Sequence, residues 1–399
     1  MKRASLWGGV ELATLRGLLW DHPRCTEPMR AAAAVWASLH PDTKVEFSVR
    51  ALSAFNDEPL EQAALGYDLV IFDHPMVGAA AQDGIMLALD EVLPEVEPQA
   101  LSGQTVGGSQ ESYLYEGHVF AIAVDAACQV AAVREDILES SGHAVPRTWP
   151  EVVALGAARP GLVALPFSPT DMFCSLLSLA ASFGCPFSSD EGFADVAPLA
   201  TLVELAKVVH PCSFGTDPPT LLELVAVGDE VGYVPLTFGY SNYARPGGAK
   251  GHALHFTDAP AHSPAGSPVS VLGGAGLGVP AGAPHPREAA AFTLWLAQAA
   301  TQRYVIGPNG GQPASRDAWS DPRLDALAGG FFSGTIRTIE SSWRRPRNPW
   351  WPGFQREAAG ALSGAVKRGA EPKSVLAELQ ELLAAHRSGR SVASVQGGR

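Results

Sequence analysis

Two stretches of the chain, LLWDHP at Leu18–Pro23 and LVIFDHP at Leu69–Pro75, carry the same tripeptide directly after an apolar run. Apolar runs bounded by turn residues are typical of buried β-strands. Between them, apolar periodicity predicts a helix over 27–39, a strand over 45–49 and a second helix over 57–65. This strand-helix-strand-helix-strand order, with right-handed crossovers, predicts an α/β fold with a parallel sheet of strand order 2-1-3.

The two tripeptides are expected to meet at one edge of this sheet. Strands one and three are neighbours in this order, and ligands bind beyond the strand ends where the winding reverses. We therefore expect Asp21, His22, Asp73 and His74 at the two lips of one crevice. A histidine oriented by an aspartate can act as a base, an acid or a metal ligand near neutral pH. The alternative interpretation is a pair of tight turns, because Asp and Pro both favour loops.

The sequence indicates no bound metal and no cofactor. No single element has the ligand spacing that a metal site requires. The glycine run at 273–276 lacks the spacing and the lysine of a nucleotide-binding loop. We instead expect close backbone approach at Gly274, to a ligand or to another part of the chain.

Composition restricts the class of protein. The chain has 399 residues, which suits about two domains, and 46% of them are hydrophobic. Its net charge of −13 argues against general nucleic-acid binding. No run of 18 apolar residues predicts a membrane-spanning helix. The five cysteines are odd in number and lack paired spacing, so we expect free thiols.

The start of the sequence bears on localisation. Lys2 and Arg3 supply a basic start, but Gly8, Glu11 and Arg16 interrupt the apolar segment that follows. A secretory signal needs an unbroken apolar stretch and a cleavage site of small residues. We expect a cytoplasmic protein as the sequence stands, or a periplasmic one if a signal has been removed or the start is misassigned.

Three later motifs occur in a fixed order. A strand ending at Val133 is followed by RED at Arg134–Asp136 and by PRTWPE at Pro146–Glu151. The segment GGAGLGVP lies at Gly273–Pro280, and GGQPASR lies at Gly310–Arg316. In this order and spacing they resemble motifs of the extracellular solute-binding proteins of ABC importers, in the group that contains the sugar binders. The resemblance covers roughly residues 15 to 388.

That resemblance implies two Rossmann-like α/β lobes joined by crossing strands, the type II periplasmic-binding fold, with a ligand clamped between them. Lobe one would comprise residues 1–125 and 260–325, and lobe two residues 126–259 and 326–390. A flexible tail would follow at 391–399. Crossing strands near 119–130 and 255–272 would form the hinge.

Further candidate ligand-binding residues follow from position and chemistry. Aromatic, amide and hydroxyl groups that suit a polar ligand follow a lobe-two strand, at Tyr240, Ser241, Asn242 and Tyr243. Ser168 and Thr170 begin an apolar helix, where free N–H groups can hold an anionic group. Asp171 beside them is more simply a helix-capping acid.

A cluster of arginines and tryptophans supplies Trp343 and Arg345 as candidates. An arginine fork beside an indole face can bind a carboxylate. The alternative is a surface segment whose rings cover the core of lobe two.

Two functions remain open from the sequence. The first is a monomeric binding protein that closes on a small polar ligand, sugar-like or a carboxylate, and delivers it to the membrane subunits of an ABC importer if exported. The second is a cytoplasmic lyase or isomerase on the same scaffold. In that hypothesis His22 or His74 would be the base, and Asp21 and Asp73 would orient them. Arg345 would anchor the substrate carboxylate.

Overall fold

A computed structural model describes residues 12–247 and 250–389 of the chain. In this part of the chain the strands are β1 (Ala13–Trp20), β2 (Thr43–Arg50), β3 (Leu69–Phe72), β4 (Leu114–Tyr115), β5 (His118–Val119), β6 (Ile122–Val133), β7 (Tyr233–Phe238), β8 (His255–Thr257) and β9 (Leu272–Gly278).

The α-helices of the first half are α1 (Pro23–Leu39), α2 (Leu52–Asp57), α3 (Leu60–Ala63), α4 (Val77–Gln82), α5 (Leu89–Val92), α6 (Pro98–Gly103), α7 (Glu135–Ser140), α8 (Trp149–Ala158) and α9 (Pro169–Ser182). Those of the second half are α10 (Ala197–Val208), α11 (Pro218–Val227), α12 (Pro286–Ala297), α13 (Ala299–Thr301), α14 (Arg316–Trp319), α15 (Pro322–Leu327), α16 (Phe331–Glu340), α17 (Trp351–Lys367) and α18 (Pro372–Arg387).

The first sheet has the predicted winding. Strand β1 pairs in parallel with both β2 and β3, which confirms the order 2-1-3. Strand β9 then pairs antiparallel with β3 on one side and with β6 on the other. The chain therefore returns to the first sheet long after leaving it, as two lobes with crossing strands require.

The long strand β6 joins the two halves of the molecule. All twelve of its residues are buried. Its part from Ile122 to Cys128 pairs with β9, and its part from Gln129 to Val133 pairs with β7 and β8. We call the half built on β1, β2 and β3 lobe one, and the half built on β7 and β8 lobe two. The exact residue division between the lobes stays a prediction.

Three boundaries differ from the sequence interpretation. A crossing strand was expected near 119–130, but β6 begins at Ile122 and continues as one strand to Val133. The other crossing strand was expected near 255–272, whereas β9 runs through the glycine-rich segment at Leu272–Gly278. Glycine is needed there because a Cβ at Gly273 or Gly276 would lie 2.6 Å from the ring of Phe238 or Tyr113, respectively. The predicted helix over 57–65 is broken into α2 and α3 at Pro59.

Each lobe has its own core. Leu15, Trp36 and Phe292 belong to the lobe-one core, between the first sheet and helices α1 and α12. Trp149, Leu176 and Trp351 belong to the lobe-two core, where α17 packs against α9. Helix α8 begins after a cap at Thr148, whose hydroxyl accepts from the Glu151 backbone N–H at 3.4 Å.

The five cysteines are free, as predicted. No helix within residues 12–247 and 250–389 is long and apolar enough to cross a membrane. The segment that bears on a signal sequence (residues 1–11) and the predicted tail (391–399) lie outside the described residues.

Candidate ligand-binding site

A pocket lies between the lobes, beside the ends of β1 and β3 and the middle of β6. Its floor includes Ala127 and the glycine-rich part of β9. Its functional side chains are the aromatic Trp20, Phe55, Phe238 and Tyr240, the acidic Asp73, Asp125 and Asp171, and the basic Arg24 and Arg345.

One buried ion pair in the pocket joins Arg24 and Asp125. The Nε of Arg24 donates to Asp125 Oδ2 at 2.8 Å, and its Nη2 donates to Oδ1. Burial raises the pKa of Asp125 above its usual range, and the Arg24 guanidinium opposes that rise. The forked geometry favours two opposite charges that neutralise each other. The guanidinium carbon of Arg24 also lies 4.6 Å from the ring centroid of Tyr240.

A second ion pair joins Asp73 of lobe one to Arg345 of lobe two. The Nη2 of Arg345 donates to Asp73 Oδ2 at 2.6 Å, and its Nη1 donates to Gln355 Oε1 at 3.3 Å. Burial opposes ionisation of Asp73, but Arg345 and His74 outweigh it and lower the pKa of Asp73 to about 2. Asp73 is therefore ionised at neutral pH and balances Arg345.

Two buried donors on pocket-lining residues have no hydrogen-bond partner among the described residues. They are the indole Nε1 of Trp20 and the Nε of Arg345. Buried polar groups are normally paired, so an unpaired donor beside a pocket points to a missing acceptor. A ligand with acceptor oxygens would supply one.

Four residues predicted from the sequence line this pocket: Asp73, Tyr240, Gly274 and Arg345. The backbone at Gly274 has φ of +101°, and a Cβ there would lie 2.3 Å from the Asp125 carbonyl oxygen. The close approach expected at Gly274 is thus to strand β6.

The two Asp-His pairs have different environments. Asp21 is exposed, and its side chain does not line the pocket. His22 caps α1 by accepting the Arg24 backbone N–H at 3.1 Å, and its ring centroid lies 4.7 Å from that of Tyr240. His74 is fully buried, with its Nδ1 3.2 Å from Asp73 Oδ1 but no hydrogen-bond geometry.

Both histidines are neutral at ordinary pH. Burial lowers the pKa of His22 to about 4, with the nearby Arg24 adding to the effect. Burial likewise lowers the pKa of His74 to about 4, against the opposing effect of Asp73. Asp73 lines the pocket, whereas His74 is buried and does not line it.

The remaining predicted residues lie close to the pocket, but they bond to other parts of the chain or line another cavity. Ser168 caps α9 and donates to Asp171 Oδ2 at 2.6 Å. Thr170 lines an adjacent cavity that Asp73 also borders. The Ser241 backbone N–H donates to Gln312, the Asn242 amide to Gly310, and the Tyr243 hydroxyl to Pro219.

The aromatic and basic segment divides between two roles. Arg345 lines the pocket, whereas Trp351 is fully buried in the lobe-two core and Trp343 packs against that core. The backbone of Trp343 bonds to Ser270 and Leu272. Arg345 therefore lies in the pocket wall, whereas the two tryptophans belong with the lobe-two core. A role of Trp343 and Arg345 in ligand binding stays a prediction.

Sequence reasoning missed three polar features of the pocket. Arg24 directly follows the first tripeptide, and Asp125 interrupts an otherwise apolar run, which was an available signal. Asp171 was interpreted as a capping acid only, yet it lines the pocket. No group of three His, Cys, Asp or Glu side chains in the described residues is arranged to hold a metal ion.

A pocket between two α/β lobes, beside the strands that cross between them, defines a protein that encloses a small ligand. Comparison with known families agrees. The model of the bacterial extracellular solute-binding proteins matches residues 55–326, and the chain belongs to this family. It is a solute-binding protein with the type II periplasmic-binding fold, as the sequence resemblance implied.

Solved structures show the same fold along nearly the whole chain. A solute-binding protein of Agrobacterium radiobacter K84 in complex with ribitol is 20% identical, with a TM-score of 0.75, covering 93% of this chain and 98% of its own. The GacH receptor of Streptomyces glaucescens, solved unliganded and with acarbose, is 16% identical with a TM-score of 0.78, covering 96% and 100%.

A third solved structure is the solute-binding protein of Thermotoga lettingae with α-D-tagatose. It is 18% identical with a TM-score of 0.77, covering 93% of this chain and 100% of its own. No curated protein sequence matches the chain. The family binds solutes, which favours binding over catalysis for this chain.

Proposed function

We propose that this protein binds a neutral sugar or polyol in the pocket between its lobes. The observation that carries the proposal is the balance of charge in the pocket. Asp73 and Asp125 are paired with Arg345 and Arg24, and Asp171 adds one further carboxylate. An anionic ligand would meet no free positive charge among these groups, so the pocket disfavours a carboxylate.

The same groups suit hydroxyl groups and sugar rings. Carboxylate oxygens accept hydrogen bonds from ligand hydroxyls. The buried N–H groups of Trp20 and Arg345 can in turn donate hydrogen bonds to ligand oxygens. The faces of Trp20, Phe55 and Tyr240 can pack against the C–H face of a sugar. The solved relatives bound to ribitol, tagatose and acarbose support this class of ligand.

We also propose that the protein delivers its ligand to the membrane subunits of an ABC importer and that it acts as a monomer. The family is extracellular, which supports export of this chain.

The catalytic alternative receives less support from the site. His74 is buried and does not line the pocket, and His22 is protonated only at about pH 4 and below. A base with so low a pKa removes protons poorly at neutral pH.

Calorimetric titration with matched ligands tests the proposal. D-glucitol and D-gluconate share the configuration of every stereocentre and differ in one terminal group, which is an alcohol in the first and a carboxylate in the second. Together with ribitol, tagatose and maltose they form a panel in which at least one neutral member should bind. We expect the neutral member of the matched pair to bind at least tenfold more tightly than the acid. Preference for gluconate, or binding of no neutral member, would contradict the proposal.

A further inference from the structure

Two buried side chains each connect the same two segments of the molecule. The first segment is the middle of β6 at Asp125 and Ala126, where the pairing with β9 shifts register. The second is the turn that follows β7, at Gly239 and Ser241. Because the middle of β6 lies where the chain passes between the lobes, these connections bear on how the lobes are held together.

Arg24 forms the first connection. Its Nε donates to Asp125 Oδ2 at 2.8 Å, and its Nη1 donates to the Gly239 carbonyl oxygen at 2.8 Å. Only 4% of the residue is exposed. A planar guanidinium can make both contacts at once in a fixed geometry, which a lysine ammonium cannot reproduce.

Gln312 forms the second connection. Its Nε2 donates to the Ala126 carbonyl oxygen at 3.1 Å, and its Oε1 accepts from the Ser241 backbone N–H at 2.8 Å. The residue is fully buried. Its own carbonyl oxygen separately accepts from the Ala126 N–H at 2.8 Å, so this loop stays attached to β6 without the side chain.

Tyr240 lies between the two residues that Arg24 and Gln312 hold, and its ring lines the pocket. We propose that Arg24 and Gln312 are positioning residues that hold the turn after β7 against the middle of β6 and thereby fix Tyr240 in the pocket wall. This inference goes beyond the identity of the ligand, because it concerns contacts within the chain.

The chain offers a matched control for each residue. Arg134 is as buried as Arg24, and two of its nitrogens donate to the two carboxylate oxygens of Asp136. It also donates to the backbone carbonyls of Val225 and Gly228. All of these partners are in lobe two. Gln302 is a buried amide that donates to Ala123 of β6 but accepts from residues 314 and 315, not from the turn after β7.

Hydrogen exchange on the full chain without added ligand tests the proposal. In Arg24→Lys and Gln312→Ala, amides of residues 239–243 should exchange about tenfold faster than in the parent. Arg134→Lys and Gln302→Ala should leave the exchange of these amides as in the parent, even where they lower stability.

Unchanged exchange at 239–243 in Gln312→Ala would overturn the proposal, as would equal effects in the controls. If Arg24→Lys does not fold, Gln312→Ala decides, because its backbone bond to β6 remains. No ligand is used, so the result is independent of the proposed sugar-binding function.

Discussion

At the scale of single residues, one tripeptide has two different roles in the molecule. Asp21 is exposed, whereas Asp73 forms a buried ion pair with Arg345, 272 positions further along the chain. The sequence identified both Asp73 and Arg345 as candidates but could not show that they meet. Arg24 and Asp125 were missed for the same reason, because their partnership exists only in the folded chain.

Asp73→Asn should strongly destabilise the fold. It would leave the guanidinium of Arg345, which is 3% exposed, without its counter-charge. Removing one partner of a buried pair costs about 3–5 kcal/mol, and partial exposure of Asp73 places the loss near 3 kcal/mol. Denaturant unfolding measures this loss. Asp21→Asn is the matched control and should change stability by less than about 0.5 kcal/mol. Equal effects of the two substitutions would show that Arg345 does not depend on Asp73.

His74 should make stability depend on pH. Its pKa is about 4 in the folded protein, whereas an unfolded histidine has a pKa of about 6.5. Between these values the unfolded chain binds the extra proton, so stability falls as the pH is lowered from 6.5 towards 4. Each such histidine contributes a slope of up to about 1.4 kcal/mol per pH unit. Unfolding curves of His74→Asn across this window should show a shallower slope by that amount, and an unchanged slope would contradict the assignment.

At the scale of strands and helices, regular sequence patterns predicted more of the observed structure than irregular patterns did. The order 2-1-3 followed from apolar runs and right-handed crossovers. Strand β9 was misplaced because its glycines resemble a loop in the sequence. Their role depends on the rings of Phe238 and Tyr113, which arrive from distant parts of the chain.

Gly274→Ala tests the role of glycine in β9. The residue has φ of +101°, and an added Cβ would lie 2.3 Å from the Asp125 carbonyl oxygen. We expect a loss of about 1–3 kcal/mol in unfolding free energy. Gly282→Ala is the control, because a Cβ there meets nothing within 4 Å and the φ is not positive. Its stability should equal or slightly exceed that of the parent. A Gly274→Ala variant as stable as the parent would mean that β9 can move away from β6.

At the scale of the whole molecule, the two lobes enclose a pocket whose charges are largely balanced internally. Asp73 with Arg345 and Arg24 with Asp125 occupy its walls, and aromatic faces complete it. This balance supports the proposed preference for a neutral polyhydroxylated ligand over an ion. The fold follows from the sequence pattern, but the balance of charge does not, because it depends on which distant groups are brought together.

Native mass spectrometry of the protein purified from its own cells can show whether the pocket carries a neutral sugar or polyol. We expect a fraction of the protein to carry one small molecule, which denaturation releases as a neutral sugar or polyol. After incubation with the protein, that molecule should be recovered chemically unchanged. Release of a carboxylic acid, or conversion of the bound molecule into a product, would contradict the account.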